Sequence, residues 1–77
     1  MKIIGFRLTS FDTQDGKNIR GTTFFCTREK LNENEFGEIG KKFFVSENKL
    51  IGKSYNIGDN ITPIYNEYGK IQEVNIY

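Results

Sequence analysis

Between residues 60 and 76 two alternating runs, Asn60 to Tyr65 and Lys70 to Ile76, are separated by Asn66-Glu67-Tyr68-Gly69. Asn and Gly accept the backbone angles that a compact reversal demands, so Gly58 to Tyr77 is expected to be a β-hairpin. Pro63 has no N–H to give to a ladder, which puts the strand leading into that turn at a sheet edge or at a bulge. The hairpin closes a small mostly-β domain whose other strands precede it, since an isolated pair of strands is marginally stable at best in water.

Those strands are legible upstream. Lys2 to Phe11 sets Ile4, Phe6 and Leu8 against Gly5, Arg7 and Thr9, the period of a strand with one buried face, and places the three apolar residues inward. Asp12 to Lys17 clusters turn formers, with Asp15-Gly16 suited to a tight reversal. A second strand runs from Asn18 to Thr27 and carries Thr22-Thr23-Phe24-Phe25; a third, Lys41 to Ser46, carries Phe43-Phe44. Each adjacent Phe pair puts one ring on either face. Arg28 to Gly40 has no usable period and reads as a long, acidic, mobile loop. Ser46 is placed to cap a helical turn through Leu50 and Ile51 that Gly52 ends, and Ile57-Gly58-Asp59 turns the chain into the last hairpin.

Five short strands and one helical turn in 77 residues describe a single mostly-β domain over 1–77, best matched by an OB-like five-stranded barrel, with an SH3-like barrel as the rival. Seven Phe and four Tyr supply the large apolar area, too much for a disordered chain.

The residue inventory narrows function by exclusion. There is no His, and the single Cys26, expected as a buried thiol, allows neither an internal disulfide nor a multi-cysteine zinc site. No nucleophile elbow, P-loop or dinucleotide fingerprint is present. Asp12 and Asp15 sit where Asp makes local turn hydrogen bonds. Neither catalytic residues nor a metal or cofactor site is expected. No apolar stretch approaches the length of a membrane span, and Met1-Lys2-Ile3-Ile4 runs directly into a patterned strand, so no membrane association and a location in the cytoplasm of a bacterial host cell are expected.

Charge is unevenly distributed although the net value is only +1. Residues 1 to 30 carry six basic and three acidic side chains, whereas 31 to 40 carry Glu33, Glu35 and Glu38 with no base. Basic and aromatic residues interleave on the strands, the pattern with which single-stranded nucleic acid is held: rings stack bases and cations neutralise phosphates. Arg7, Arg20, Lys42 and Lys70 are the candidate phosphate contacts. Phe24, Phe44, Tyr65 and Tyr68 are the candidate stacking rings, with Arg20 and Phe24 sharing one face of strand 2, and Lys42 and Phe44 one face of strand 3. A set of core aromatics beneath solubilising Lys residues explains the same pattern without a ligand. The acidic loop offers a different function: Phe36 flanked by Glu33, Glu35 and Glu38 is an apolar anchor for a partner protein with a basic groove.

The chain resembles small uncharacterised proteins of prophages and conjugative elements of low-GC Gram-positive bacteria. The likeness lies in Gly21-Thr22-Thr23-Phe24-Phe25-Cys26, Lys42-Phe43-Phe44-Val45-Ser46, Ile57-Gly58-Asp59-Asn60-Ile61 and Tyr65-Asn66-Glu67-Tyr68-Gly69-Lys70-Ile71. Its layout is also similar to that of the OB-fold single-stranded-DNA-binding proteins of filamentous phages. The resemblance implies a viral or mobile-element protein that binds single-stranded DNA, or RNA, without sequence preference. The same genomic setting implies, as an alternative, a non-enzymatic inhibitor of a host protein, such as an anti-defence or anti-CRISPR factor. A homodimer is expected because small β domains pair through exposed strands.

Overall fold

The computed structural model describes residues 1–28 and 32–77. Strand β1 spans Lys2–Asp12, β2 Asn18–Arg28, β3 Ile39–Ser46, β4 Ile61–Tyr65 and β5 Ile71–Ile76, with a 3-10 turn at Glu47–Lys49. The mostly-β character, the five strands and the short helical turn agree with the sequence pattern. Ser46 opens that turn, although its hydroxyl donates to Asn48 Oδ1 at 2.6 Å instead of capping a backbone N–H.

The strands form two antiparallel sheets, β1-β2-β3 and β4-β5. Alternation and turn chemistry account for the second: Asn66 Oδ1 accepts from the Tyr68 and Lys70 N–H groups at 2.9 and 3.0 Å, and Gly69 takes the left-handed φ of 76°. Pro63 lies in an edge strand, and the irregularity in that ladder falls just beyond it, between Ile64 and Tyr65.

The sheets are joined where β1 starts. Ile3 N–H donates to Asp59 O, Gly58 N–H to Ile3 O and Ile61 N–H to Met1 O, each at 2.8 Å, around an isolated bridge between Lys2 and Asn60. Among the described residues β3 and β5 do not pair, so the ladders do not close into the barrel expected from the strand count.

The core fills the angle between the sheets. Ile3, Phe24, Cys26 and Val45 come from the first, Ile61 and Val74 from the hairpin, and Met1, Phe43, Leu50, Tyr55, Ile71 and Ile76 pack around them. Each fully buried aliphatic or aromatic side chain contributes about 1.5–3 kcal/mol. The buried Thr22 hydroxyl is satisfied by Tyr55 Oη at 2.8 Å, and Phe6 and Phe24 both meet the Tyr55 ring edge-on at 5.0 Å.

Strand β1 departs from the expected inward set of Ile4, Phe6 and Leu8. Ile3 faces Cys26 and Gly5 faces Phe25, so Ile4 is one residue too many in the ladder, a β-bulge that reverses the alternation. Ile3 is therefore buried and Ile4 is 53% exposed. Beyond the bulge Phe6 and Leu8 return to the inner side, opposite Phe24 and Thr22. The β1-β2 hairpin outruns the cover, however, and Leu8 is left 78% exposed. This overhang lengthens the molecule to 45 Å against 25 and 22 Å.

Candidate functional site

The face of the β1-β2-β3 sheet turned away from the core gathers cations and rings from all three strands. Register fixes the arrangement: Arg7 is opposite Thr23, Thr23 opposite Phe44, and Phe25 opposite Lys42. Side chains alternate across a strand, so these residues share the side opposite Phe24, Cys26 and Val45. The Arg7 guanidinium carbon sits 5.4 Å from the centre of the Phe25 ring, within cation–π range. The Phe11 and Phe44 rings meet at 5.7 Å and 61°. Between the two groups the Thr9 and Thr23 hydroxyls share a hydrogen bond of 2.9 Å. Arg7, Thr9, Thr23, Phe25, Lys42 and Phe44 line one shallow, open depression.

Gly21 determines where the Phe44 ring lies. A Cβ at this position would come within 2.6 Å of Phe44 Cζ and 2.2 Å of the Val45 carbonyl oxygen, far inside contact distance. The absent side chain lets Phe44 lie across β2 and reach Phe11 on β1.

Of the residues singled out from the sequence, Arg7, Lys42 and Phe44 come together here. Phe24 does not: it is fully buried, in contact with Phe6, Phe43 and Tyr55, and cannot stack a base. Phe25 occupies the outer position instead. The assignment was available in the sequence, since Phe24 shares its parity with Cys26, itself expected to be buried. Phe11, the other missed ring, is the last large apolar residue of an alternating run and carried no separate signal. Arg20 is exposed but lies on the Phe24 side, near the β1-β2 turn opposite Ser10, with its Nε donating to Asn18 Oδ1 at 3.1 Å. Tyr65, Tyr68 and Lys70 are exposed around the β4-β5 turn, on the other sheet.

The acidic loop is anchored where it is described; residues 29–31, part of that expected loop, lie outside the described residues. Arg28 at the end of β2 binds Glu35 through a 2.8 Å contact from Nη2 to Oε2, and Asn32 Nδ2 donates to Glu35 Oε1 at 3.2 Å. Glu35 is thus engaged and largely covered within the loop that the sequence reads as mobile. Strand β3 also begins at Ile39, two residues earlier than the pattern suggested. Glu33 and Glu38 are exposed, and Phe36 is 84% exposed.

Asp15 and Cys26 are displaced from their ordinary values. The Thr13 hydroxyl, donating to the Asp15 carboxylate in the β1-β2 turn, lowers the Asp15 pKa, and burial pushes the Cys26 thiol up. Among the described residues no three His, Cys, Asp or Glu side chains gather as a metal-ligand cluster, and no helix is long and apolar enough to cross a membrane. The chain matches no protein-family model, no curated protein and no solved structure.

Proposed function

We propose that the protein is a non-sequence-specific single-stranded nucleic-acid-binding protein of a phage or mobile element, and that it is an open OB-like domain using the outer face of β1, β2 and β3. The observation that carries this reading is the juxtaposition of Arg7 over Phe25 with Lys42 beside the same ring and the Phe11–Phe44 pair next to it. Flat rings accept any base, and each stack contributes about 1–3 kcal/mol. Arg7 and Lys42 supply charge at the height of a backbone running over those rings.

The topology supports the OB-like assignment. The start of β1 bonds to the run entering β4 through an isolated bridge, β1-β2-β3 is a meander, and a helical turn separates β3 from β4, the chain order of an OB-fold with its β1-β4 and β3-β5 seams open. OB-folds bind oligonucleotides on the face of strands 2 and 3 and with the loops joining strands 1 to 2 and 4 to 5. Those positions hold the platform, the Asp12 to Lys17 turn, and the Tyr65, Tyr68 and Lys70 group.

A fluorescence-anisotropy titration with labelled oligo-dT at low and moderate salt tests the reading. Binding should weaken steeply with salt and fall on Arg7→Ala or Phe25→Ala. No binding at about 50 μM protein in low salt sinks it.

One observation favours a second function. Phe36 stands almost fully in solvent between exposed Glu33 and Glu38, on a loop tied down by the Arg28–Glu35 pair. A presented, positioned anchor of this kind suits a host protein with a basic groove. A pull-down from host lysate with wild type and Phe36→Ala decides it, since identical captured proteins would remove the loop from the account.

A further inference from the structure

Strand β1 is an edge strand, and beyond its first three residues its outer side has no ladder partner among the described residues. Which groups face outward follows from the turn: Thr13 N–H donates to Lys17 O at 2.7 Å, so Thr13 points toward β2. By alternation Phe11, Thr9 and Arg7 also bond inward, leaving the N–H and C=O groups of Phe6, Leu8, Ser10 and Asp12 facing out. Exposed edges are ordinarily blunted by Lys, Pro or covering elements. The β3 edge carries Lys41 and Lys42, β4 carries Pro63, and β5 is short and carries Glu73. From Phe6 to Phe11 the only charged side chain of β1 is Arg7, already drawn over Phe25, and the stretch instead exposes Phe6, Leu8 and Phe11.

We propose that two copies of the chain pair antiparallel along their β1 edges, around a two-fold axis beside Thr9, to make one six-stranded sheet. The axis position follows from the free length. Residues 58 to 61 cover β1 up to Ile3 and the bulge occupies Ile4, so the open run is Phe6 to Asp12, and Thr9 is its midpoint. In this register Leu8 and Phe6 of each copy form hydrogen-bonded pairs with Ser10 and Asp12 of the other, which satisfies every outward group of the run. The two Leu8 side chains become diagonal neighbours on the inner side, within reach of each other across the axis. On the outer side each Arg7 comes opposite the other copy's Phe11, a cation facing a ring, with no like charges directly opposed.

A second copy is the occupant because the edge is complementary to itself in hydrogen-bond register, in apolar side chains and in charge. The pairing stands on the edge alone; its use rests on the function proposed above. Given that function, the Phe44–Phe11 and Arg7–Phe25 groups of both copies would form one continuous platform, so a strand would engage two platforms as a single longer site.

The test uses the protein without nucleic acid. Sedimentation equilibrium from about 10 μM to about 1 mM should show a monomer–dimer equilibrium. Leu8→Lys, at an open side chain, and Ser10→Pro, which removes an outward N–H, should abolish it while leaving circular dichroism unchanged. Facing residues of a non-hydrogen-bonded pair lie about 4.5 Å apart, so Thr9→Cys should form disulfide dimers on mild oxidation at least tenfold faster, roughly, than Thr62→Cys on β4. A monomer throughout that range, or crosslinking of Thr9→Cys no faster than that of Thr62→Cys, overturns the pairing. If the dimer forms and oligo-dT does not bind it, the nucleic-acid function fails and the pairing stands.

Discussion

The Arg7 guanidinium and the Phe25 ring, 5.4 Å apart, lie diagonally across the β1-β2 ladder, with Arg7 opposite Thr23 and Phe25 opposite Gly5. Gly5 puts no side chain beside the ring, and the cation is held above the sheet by a contact that leaves its outward N–H groups available. Arg7→Ala should therefore weaken oligo-dT binding about 5- to 30-fold and flatten the dependence of log K on log salt by about 0.7, the value for one lost phosphate contact on a single strand. Arg7→Lys should keep the slope and lose part of the affinity, because an ammonium stacks less well. Anisotropy titrations at three salt concentrations separate the two effects.

The adjacent rings of β2 should respond oppositely to the same truncation. Phe24 is fully buried against Phe43 and Tyr55, so Phe24→Ala should cost about 3–5 kcal/mol, most of the stability of a domain this small. Phe25 packs on the open face, and Phe25→Ala should leave urea unfolding changed by less than about 1.5 kcal/mol while costing about 1–3 kcal/mol in oligonucleotide binding. Equal losses of stability in the two variants would contradict the assignment of faces.

Gly21→Ala tests whether the platform depends on backbone shape. The new methyl group would collide with Phe44 and the Val45 carbonyl, so either the ring leaves β2 or the β2-β3 ladder shifts. The expected cost is about 1–3 kcal/mol, with loss of the mutual ring-current shifts of Phe11 and Phe44 in the NMR spectrum. Unchanged shifts at these two rings would show that Gly21 does not position Phe44.

The elements were legible in the sequence where local chemistry alone decides them: the Asn66 to Gly69 reversal, the Asp15-Gly16 turn and the alternation on either side of each. What was not legible depends on contacts distant in sequence. Nothing local marks Ile4 as the bulged residue, since the bulge exists only in relation to the Cys26 and Phe25 partners on β2. Whether Phe6 and Leu8 are covered depends on how far the segment joining β3 to β4, whose Tyr55 meets Phe6, reaches along the first sheet. The Arg28–Glu35 pair joins positions that the sequence separates by a run without periodicity. For the site, Arg7, Lys42 and Phe44 were identifiable from strand parity, whereas choosing Phe24 over Phe25 overlooked the parity that Cys26 supplies.

Cys26 should behave as an inert core thiol. Burial raises its pKa above the ordinary 9.0, so the folded state holds the proton more tightly than the unfolded state. The resulting stability is fully present below the unfolded value and is lost as pH rises through the folded one, so this thiol contributes to a decline in stability on the alkaline side only. Labelling by a thiol reagent at pH 8 should be slow in buffer and accelerate with urea in parallel with the loss of circular dichroism. Rapid labelling of the native protein would place Cys26 outside the core.

The Arg28–Glu35 contact separates two roles within the acidic loop. Both side chains are mostly covered, and Glu35 takes a further hydrogen bond from Asn32, so Glu35→Gln removes the charge from one side of this contact at a partly desolvated position. The expected loss is about 1–3 kcal/mol, between values for exposed and buried pairs, and near 5 °C in Tm for each kcal/mol in a domain of this size. Phe36→Ala removes a ring that touches mainly solvent and should leave Tm within about 2 °C. If the loop captures a host protein, Phe36→Ala abolishes capture with Tm intact, and Glu35→Gln weakens it only in proportion to the loosened loop. Thermal melts beside the pull-down distinguish these outcomes, and loss of Tm in Phe36→Ala would make the ring structural instead of an anchor.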